Sequence, residues 1–152
     1  MINTMQTAYV RVLRKIKQKS DGESAVAKDL AKENVEKLLS QFSEDPGILE
    51  GARKLYSTAI KTYKVPNSLI GETAKDGVRL LRDKFGKPAC PEIFHIFSSA
   101  ITHLLDLNAE PLAQALITDA SAFFTEINCP EQVEKIANVL KESRAKSDIK
   151  LF

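Results

Sequence analysis

Residues Ala31-Lys32-Glu33-Asn34-Val35, followed by Leu38 and Phe42, recur as Ala74-Lys75-Asp76-Gly77-Val78, followed by Leu81 and Phe85, at a step of 43 residues. In the first copy Ala31, Val35, Leu38 and Phe42 are spaced by four, three and four residues. That spacing lines one face of a helix with 3.6 residues per turn and scatters over both faces of a strand. The same step carries Asp76 to Asp119, Leu81 to Phe124 and Asp83 to Glu126. A second register of 41 residues relates Tyr56-Ser57-Thr58-Ala59-Ile60 to Phe97-Ser98-Ser99-Ala100-Ile101. The chain therefore reads as helices that recur in pairs.

Turn chemistry separates these helices. All six prolines fall in Asp45-Pro46-Gly47, Val65-Pro66-Asn67-Ser68, Gly86-Lys87-Pro88, Cys90-Pro91, Glu110-Pro111 and Asn128-Cys129-Pro130, and Ser20-Asp21-Gly22 marks one further break. The punctuation predicts seven helices near 4–20, 23–42, 46–64, 67–85, 91–107, 110–127 and 130–146, and no segment alternates as a strand would. Pro46, Pro91 and Pro130 are placed at the first position of helices three, five and seven, where a missing N–H costs nothing. Short connections imply antiparallel neighbours. The expectation is one all-α domain over 1–152, with the first helix as an N-terminal cap and helix pairs at about 23–64, 67–107 and 110–146.

A two-helix unit recurring at this spacing resembles the HEAT and armadillo kind of helical-repeat protein, over helices two to seven. The resemblance implies a right-handed α–α stack in which each pair buries its apolar face on the next, leaving an arched surface for a partner. A compact helical bundle is the alternative architecture.

Composition supports a folded chain. With 152 residues, 43% of them hydrophobic and 28% charged, and a formal charge of +2, the sequence has the make-up of an ordinary globular domain and enough length to fold without metal or disulfides. No run approaches the 18 or more apolar residues of a transmembrane helix, and no apolar signal core follows the N-terminus. A soluble, intracellular, cytoplasmic protein is expected. The acid-free first twenty residues, with Arg11, Arg14, Lys15, Lys17 and Lys19, share the pattern of a mitochondrial presequence, which is the second reading of localisation. Cys90 and Cys129 are too few for a disulfide framework and too far apart for a zinc finger, which favours a reducing compartment. Each precedes Pro-Glu at a predicted helix start. If helices five and seven are parallel members of successive units, the two residues share an edge at roughly 10 Å, beyond disulfide reach, and act as capping positions.

Catalytic and cofactor patterns are absent from the sequence. Cys90-Pro91-Glu92-Ile93-Phe94 looks like the start of a long globin helix, but the segment 67–85 before it contains no histidine to hold haem. His95 and His103 are eight residues apart, about 12 Å of helical rise, too far to share one metal. Glu92 and His95 have the Glu-x-x-His spacing of di-iron bundles, without the second motif that such a site requires. Neither a Gly-x-Ser-x-Gly elbow nor a phosphate-binding glycine loop occurs. No cofactor, metal or catalytic residue is expected, and the histidines read as structural.

Charge is the stronger pointer. The blocks run +5 over 1–20, −5 over 21–50, +6 over 51–88, −7 over 89–134 and +3 over 135–152, and the fourth contains no Lys or Arg. On helix four, Lys75, Arg79 and Arg82 fall at i, i+4 and i+7 in one stripe, expected opposite the apolar face, with Glu72, Asp76 and Asp83 close enough to neutralise it. Arg11, Arg14, Lys15, Lys61, Lys64, Lys75, Arg79 and Arg82 are accordingly the candidate partner- or phosphate-binding residues. In the acidic block, Ile93, Phe97, Ile101, Leu104, Leu116, Phe123 and Phe124 should pack as core, beside Phe94. The expected function is a non-enzymatic protein-interaction module or scaffold subunit. The alternative is a helical subunit of a nucleoprotein complex that holds phosphates on the basic stripe. The opposed charge blocks also suit register between units, or a homo-oligomer.

Overall fold

The computed structural model describes residues 4–21 and 24–150, with side chains described through 142. It contains α1 (Thr4–Lys19), α2 (Val26–Gln41), α3 (Ile48–Thr62), α4 (Ser68–Phe85), α5 (Cys90–Asp106), α6 (Glu110–Glu126) and α7 (Pro130–Lys150), with a 3-10 turn at Lys87–Ala89 and no strand among the described residues. The fold is all-α, and the helices follow the expected boundaries within a few residues. The expected start of the second helix at residue 23, and Gly22 of the first turn, lie outside the described residues.

The ends have local causes. At α4, Asn67 accepts the Leu69 N–H at 2.8 Å in an N-cap. Pro46 does not open α3: Asp45 Oδ1 takes the Gly47 N–H at 2.8 Å, and the helix begins two residues after the proline, at Ile48. Pro91 and Pro111 are the second residues of their helices, while Pro130 is the first of α7. The C-termini of α5 and α6 repeat one device. Asn108 and Asn128 have φ of 61° and 60°, and the next N–H reaches back to the helix, Ala109 to the Leu104 carbonyl and Cys129 to the Phe124 carbonyl, both at 2.8 Å. This is a Schellman closure with asparagine in the left-handed position.

Packing follows chain order. Neighbouring helices touch throughout, and beyond that α1 packs on α3, α3 on α5, α5 on α7 and α2 on α4. The odd-numbered helices thus form one row and the even-numbered helices another. Contact between α4 and α6 is marginal, so the even row opens there while α3 and α5 stay closely packed. The buried apolar side chains form one cluster between the rows. Its large members with no exposure include Tyr56, Ile60, Ile70, Leu81, Ile93, Ile101 and Phe124. The aromatic and aliphatic set of the acidic block packs as expected, with Phe123 only partly covered.

Polar contacts join helices that are next but one in the chain. Ser57 and Ser99 meet at 3.3 Å between α3 and α5, 42 residues apart. Asp76 and Asp119, related by the 43-residue step, each receive a lysine from the preceding even helix: Lys28 at 3.6 Å and Lys75 at 2.7 Å. Opposed charges here serve the register between helices.

The cysteines require a correction. Cys90 and Cys129 are joined as a disulfide, with Cα atoms 6.8 Å apart, rather than standing as separate thiols at roughly 10 Å. The larger figure is a distance between helix axes. Cys129 lies off any axis, in the turn before α7, and Cys90 is the first residue of α5, so both side chains reach into the seam between parallel helix starts. The inference of a reducing compartment from unpaired cysteines loses its premise.

Candidate functional site

The basic stripe on α4 does not lie opposite the apolar face, as its spacing suggested. It borders α6. Lys75 is paired with Asp119 across the α4–α6 seam, and Arg82 lies 5.2 Å from the centroid of the Phe123 ring with its Nε 3.1 Å from Asp83. Arg79 is exposed between them. Of the acids expected to neutralise the stripe, Asp83 does so on Arg82, whereas Asp76 is turned to Lys28 on α2. Partly exposed ion pairs of this kind contribute about 0.2 to 1 kcal/mol each, and an arginine over a ring a similar amount. Two of the three cations are therefore engaged within the fold.

The remaining candidates lie elsewhere. Arg11 and Arg14 are exposed and Lys15 half-buried on α1, and Lys61 and Lys64 are exposed at the end of α3. The eight basic residues are thus distributed over α1, the end of α3 and the α4–α6 seam, and do not make one surface. Where α4 and α6 part, a cleft of about 170 Å³ opens beside Gly71, Leu104, Leu112 and Leu116, bridged by the Lys75–Asp119 pair. An open depression of about 360 Å³ lies between α2 and α4, at Glu36, Leu39, Leu80 and Lys84.

A polar concavity lies on the odd row. Lys61 of α3 and His95, Ser98, Ser99, Thr102, His103 and Asp106 of α5 line a groove of about 320 Å³. Ser99 is joined there to Ser57 of α3. His103 Nε2 is 2.5 Å from the Tyr63 carbonyl, which has no proton to give, so the imidazole donates. Tyr63 is the last residue of the α3 cap, and its carbonyl is one of those that a helix end leaves without an intrahelical partner. His103 is therefore a closing residue for the neighbouring helix, in keeping with the structural reading of the histidines. His95, Ser98 and Thr102 complete a face that offers hydrogen-bond donors and acceptors without a strong net charge. Among the described residues, no group of three His, Cys, Asp or Glu is arranged to hold a metal ion.

Beneath the groove, Tyr63 joins three helices. Its hydroxyl accepts the Lys28 N–H at 3.1 Å, at the start of α2, and lies 3.2 Å from Thr73 Oγ1 of α4, while its carbonyl takes the His103 proton from α5. Sequence reasoning missed this residue. Its signal was modest: Tyr63 continues the face of Tyr56, Ala59 and Ile60 past the end of α3, into the turn at 64–67.

Burial raises the pKa of the Tyr63 phenol, against the lowering effect of its hydrogen bonds to Thr73 and Lys28. Burial also raises that of Tyr56, helped by the Asp76 and Glu36 carboxylates. The folded state then keeps phenol protons that the unfolded chain releases near pH 10. Their contribution to stability is complete below that pH and is lost as the pH rises beyond it. Urea unfolding between pH 8 and 11 should show stability falling above about pH 10, with a shallower fall in Tyr56→Phe. An identical fall in the two proteins would place the Tyr56 phenol in water.

No helix among the described residues is long and apolar enough to cross a membrane. No protein-family model, curated protein or solved structure matches the chain.

Proposed function

We propose that the chain is a non-enzymatic interaction module whose partner, a protein, lies across the odd-row face formed by α3 and α5. The supporting observation is the polar groove that α3 and α5 share on the odd row. A groove between parallel helices offers spaced polar groups to an elongated partner, as helical-repeat scaffolds do. The order of helix contacts, each helix on the next and the next but one, likewise supports the HEAT-like resemblance. Phosphate recognition on α4 has less support, because Lys75 and Arg82 are engaged with Asp119, Asp83 and Phe123.

The test compares the wild-type chain, a groove variant with Ser98→Arg and Thr102→Arg, and Arg79→Glu on α4 as bait for proteins of the source cell. A protein retained by wild type and Arg79→Glu, and lost by at least tenfold with the groove variant, is the expected result. A partner indifferent to the groove would overturn the placement. Nucleic-acid binding that weakens steeply with salt and disappears when Lys75, Arg79 and Arg82 are all changed to Glu would replace the reading with the nucleoprotein alternative.

A further inference from the structure

The disulfide occupies a revealing position. It ties the first residue of α5 to the residue just before α7, closing 39 residues of chain that contain all of α6. The helix it fastens packs along α5 and α6 at the end of the row, and few of its described side chains are fully buried. From Pro130 to residue 142, Ile136 is the single apolar side chain of α7 that is fully buried, with Val133, Val139 and Leu140 partly covered. By contrast, α5 buries Ile93, Ile96, Phe97, Ala100, Ile101 and Leu104. Gln132, in the first turn of α7, is buried with its Oε1 lacking any hydrogen-bond partner, a cost that ends when water reaches it. Contacts of α7 are confined to α5 and α6 at the end of the stack. Over residues 130–142, its docking therefore has few fully buried apolar groups, a polar penalty and a covalent tether at one end.

We propose that Cys90–Cys129 is a redox-controlled clasp: oxidised, it keeps α7 docked on α5 and α6, and reduced, it lets α7 open locally while the rest of the stack stays folded. Opening follows from a dithiol reductant. One reductant thiolate bonds to a cysteine sulfur as the S–S bond breaks, and the other cysteine leaves as a thiolate and takes a proton. The second reductant thiolate then attacks the first reductant sulfur and expels the bound cysteine as a thiolate that takes a proton, so that two electrons and two protons end on Cys90 and Cys129 and the reductant becomes a disulfide. Both cysteines are nearly covered, Cys129 at 1% and Cys90 at 6% exposure, so the exchange waits for α7 to move. Reduction and opening then reinforce each other. This inference is independent of which partner the α3–α5 face takes.

Hydrogen exchange read by mass spectrometry tests the clasp on the full chain. Protein oxidised with oxidised glutathione should have no titratable thiol, and dithiothreitol should release two. Amides of residues 130–142 should then exchange at least about tenfold faster, while those of α2 to α4 keep their rates. The double variant Cys90→Ala, Cys129→Ala should exchange like the reduced wild type with or without dithiothreitol. Two free thiols after oxidation would overturn the proposal. So would equal exchange of 130–142 in the two states, or an equal rise across every helix, which would make the bond a support of the whole fold.

Discussion

Phe97→Ala should lower the free energy of unfolding by about 3 to 5 kcal/mol, the range for removing a buried aromatic ring. Phe97 sits in α5 at 1% exposure, and its ring meets Phe123 and Phe124 of α6 edge to face, each with centroids 5.7 Å away. The two α6 rings are themselves 6.4 Å apart. Alanine removes both cross-helix pairs and leaves a void in a helix that is packed by α3, α4, α6 and α7. With neighbours on so many sides, the walls have little freedom to collapse, so the cavity cost adds to the lost burial. A urea titration should move its midpoint with the slope unchanged. Phe123→Ala, which removes a partly covered ring, should cost roughly half as much. Equal and small losses in the two variants would show that the α5–α6 seam does not carry the core.

The second large effect has the opposite sign from local expectation. Glycine to alanine inside a helix normally stabilises by about 1 kcal/mol, yet Gly77→Ala should destabilise by about 1 to 3 kcal/mol. A Cβ on residue 77 would lie 2.7, 2.9 and 3.0 Å from Cγ, Cδ1 and Cδ2 of Tyr56. That ring is fully buried, so it has no open side toward which to retreat. Gly71 of the same helix supplies the matched comparison. Its added methyl would meet only Leu116 Cδ1, at 3.7 Å, an ordinary contact, and Gly71→Ala should therefore stabilise. Thermal melts of the two variants, shifted in opposite directions, are the expected outcome. Stabilisation by both would mean that α4 does not press on the Tyr56 ring.

What could be read from the sequence was local. Seven helices and no strand followed from 3.6-residue periodicity and from prolines that cannot continue a helix, and these depend only on nearby residues. Pairing between distant residues was a different matter. Lys75, Arg79 and Arg82 do share one face, but only the position of α6 decides that the face meets Asp119 and Phe123. The cysteine separation was wrong because an interaxial spacing says nothing of residues at helix starts, where the chain leaves the axis. Of the candidate groove, Lys61 was named for its charge and the two histidines were noted. The assembly of Ser99, Thr102 and Asp106 beside Lys61 depended on α3 and α5 being parallel neighbours.

The helix order has a consequence for how the protein is made. Extensive contacts among the described helices join elements that are adjacent or next but one in the chain. Such contacts close short loops, and topologies rich in them fold quickly. During synthesis, α1, α2 and α3 can pack together before α5 has emerged, and each later helix finds its docking surface already waiting. Production of the molecule is therefore suited to vectorial assembly, in which no early segment must remain unfolded until the last residues arrive.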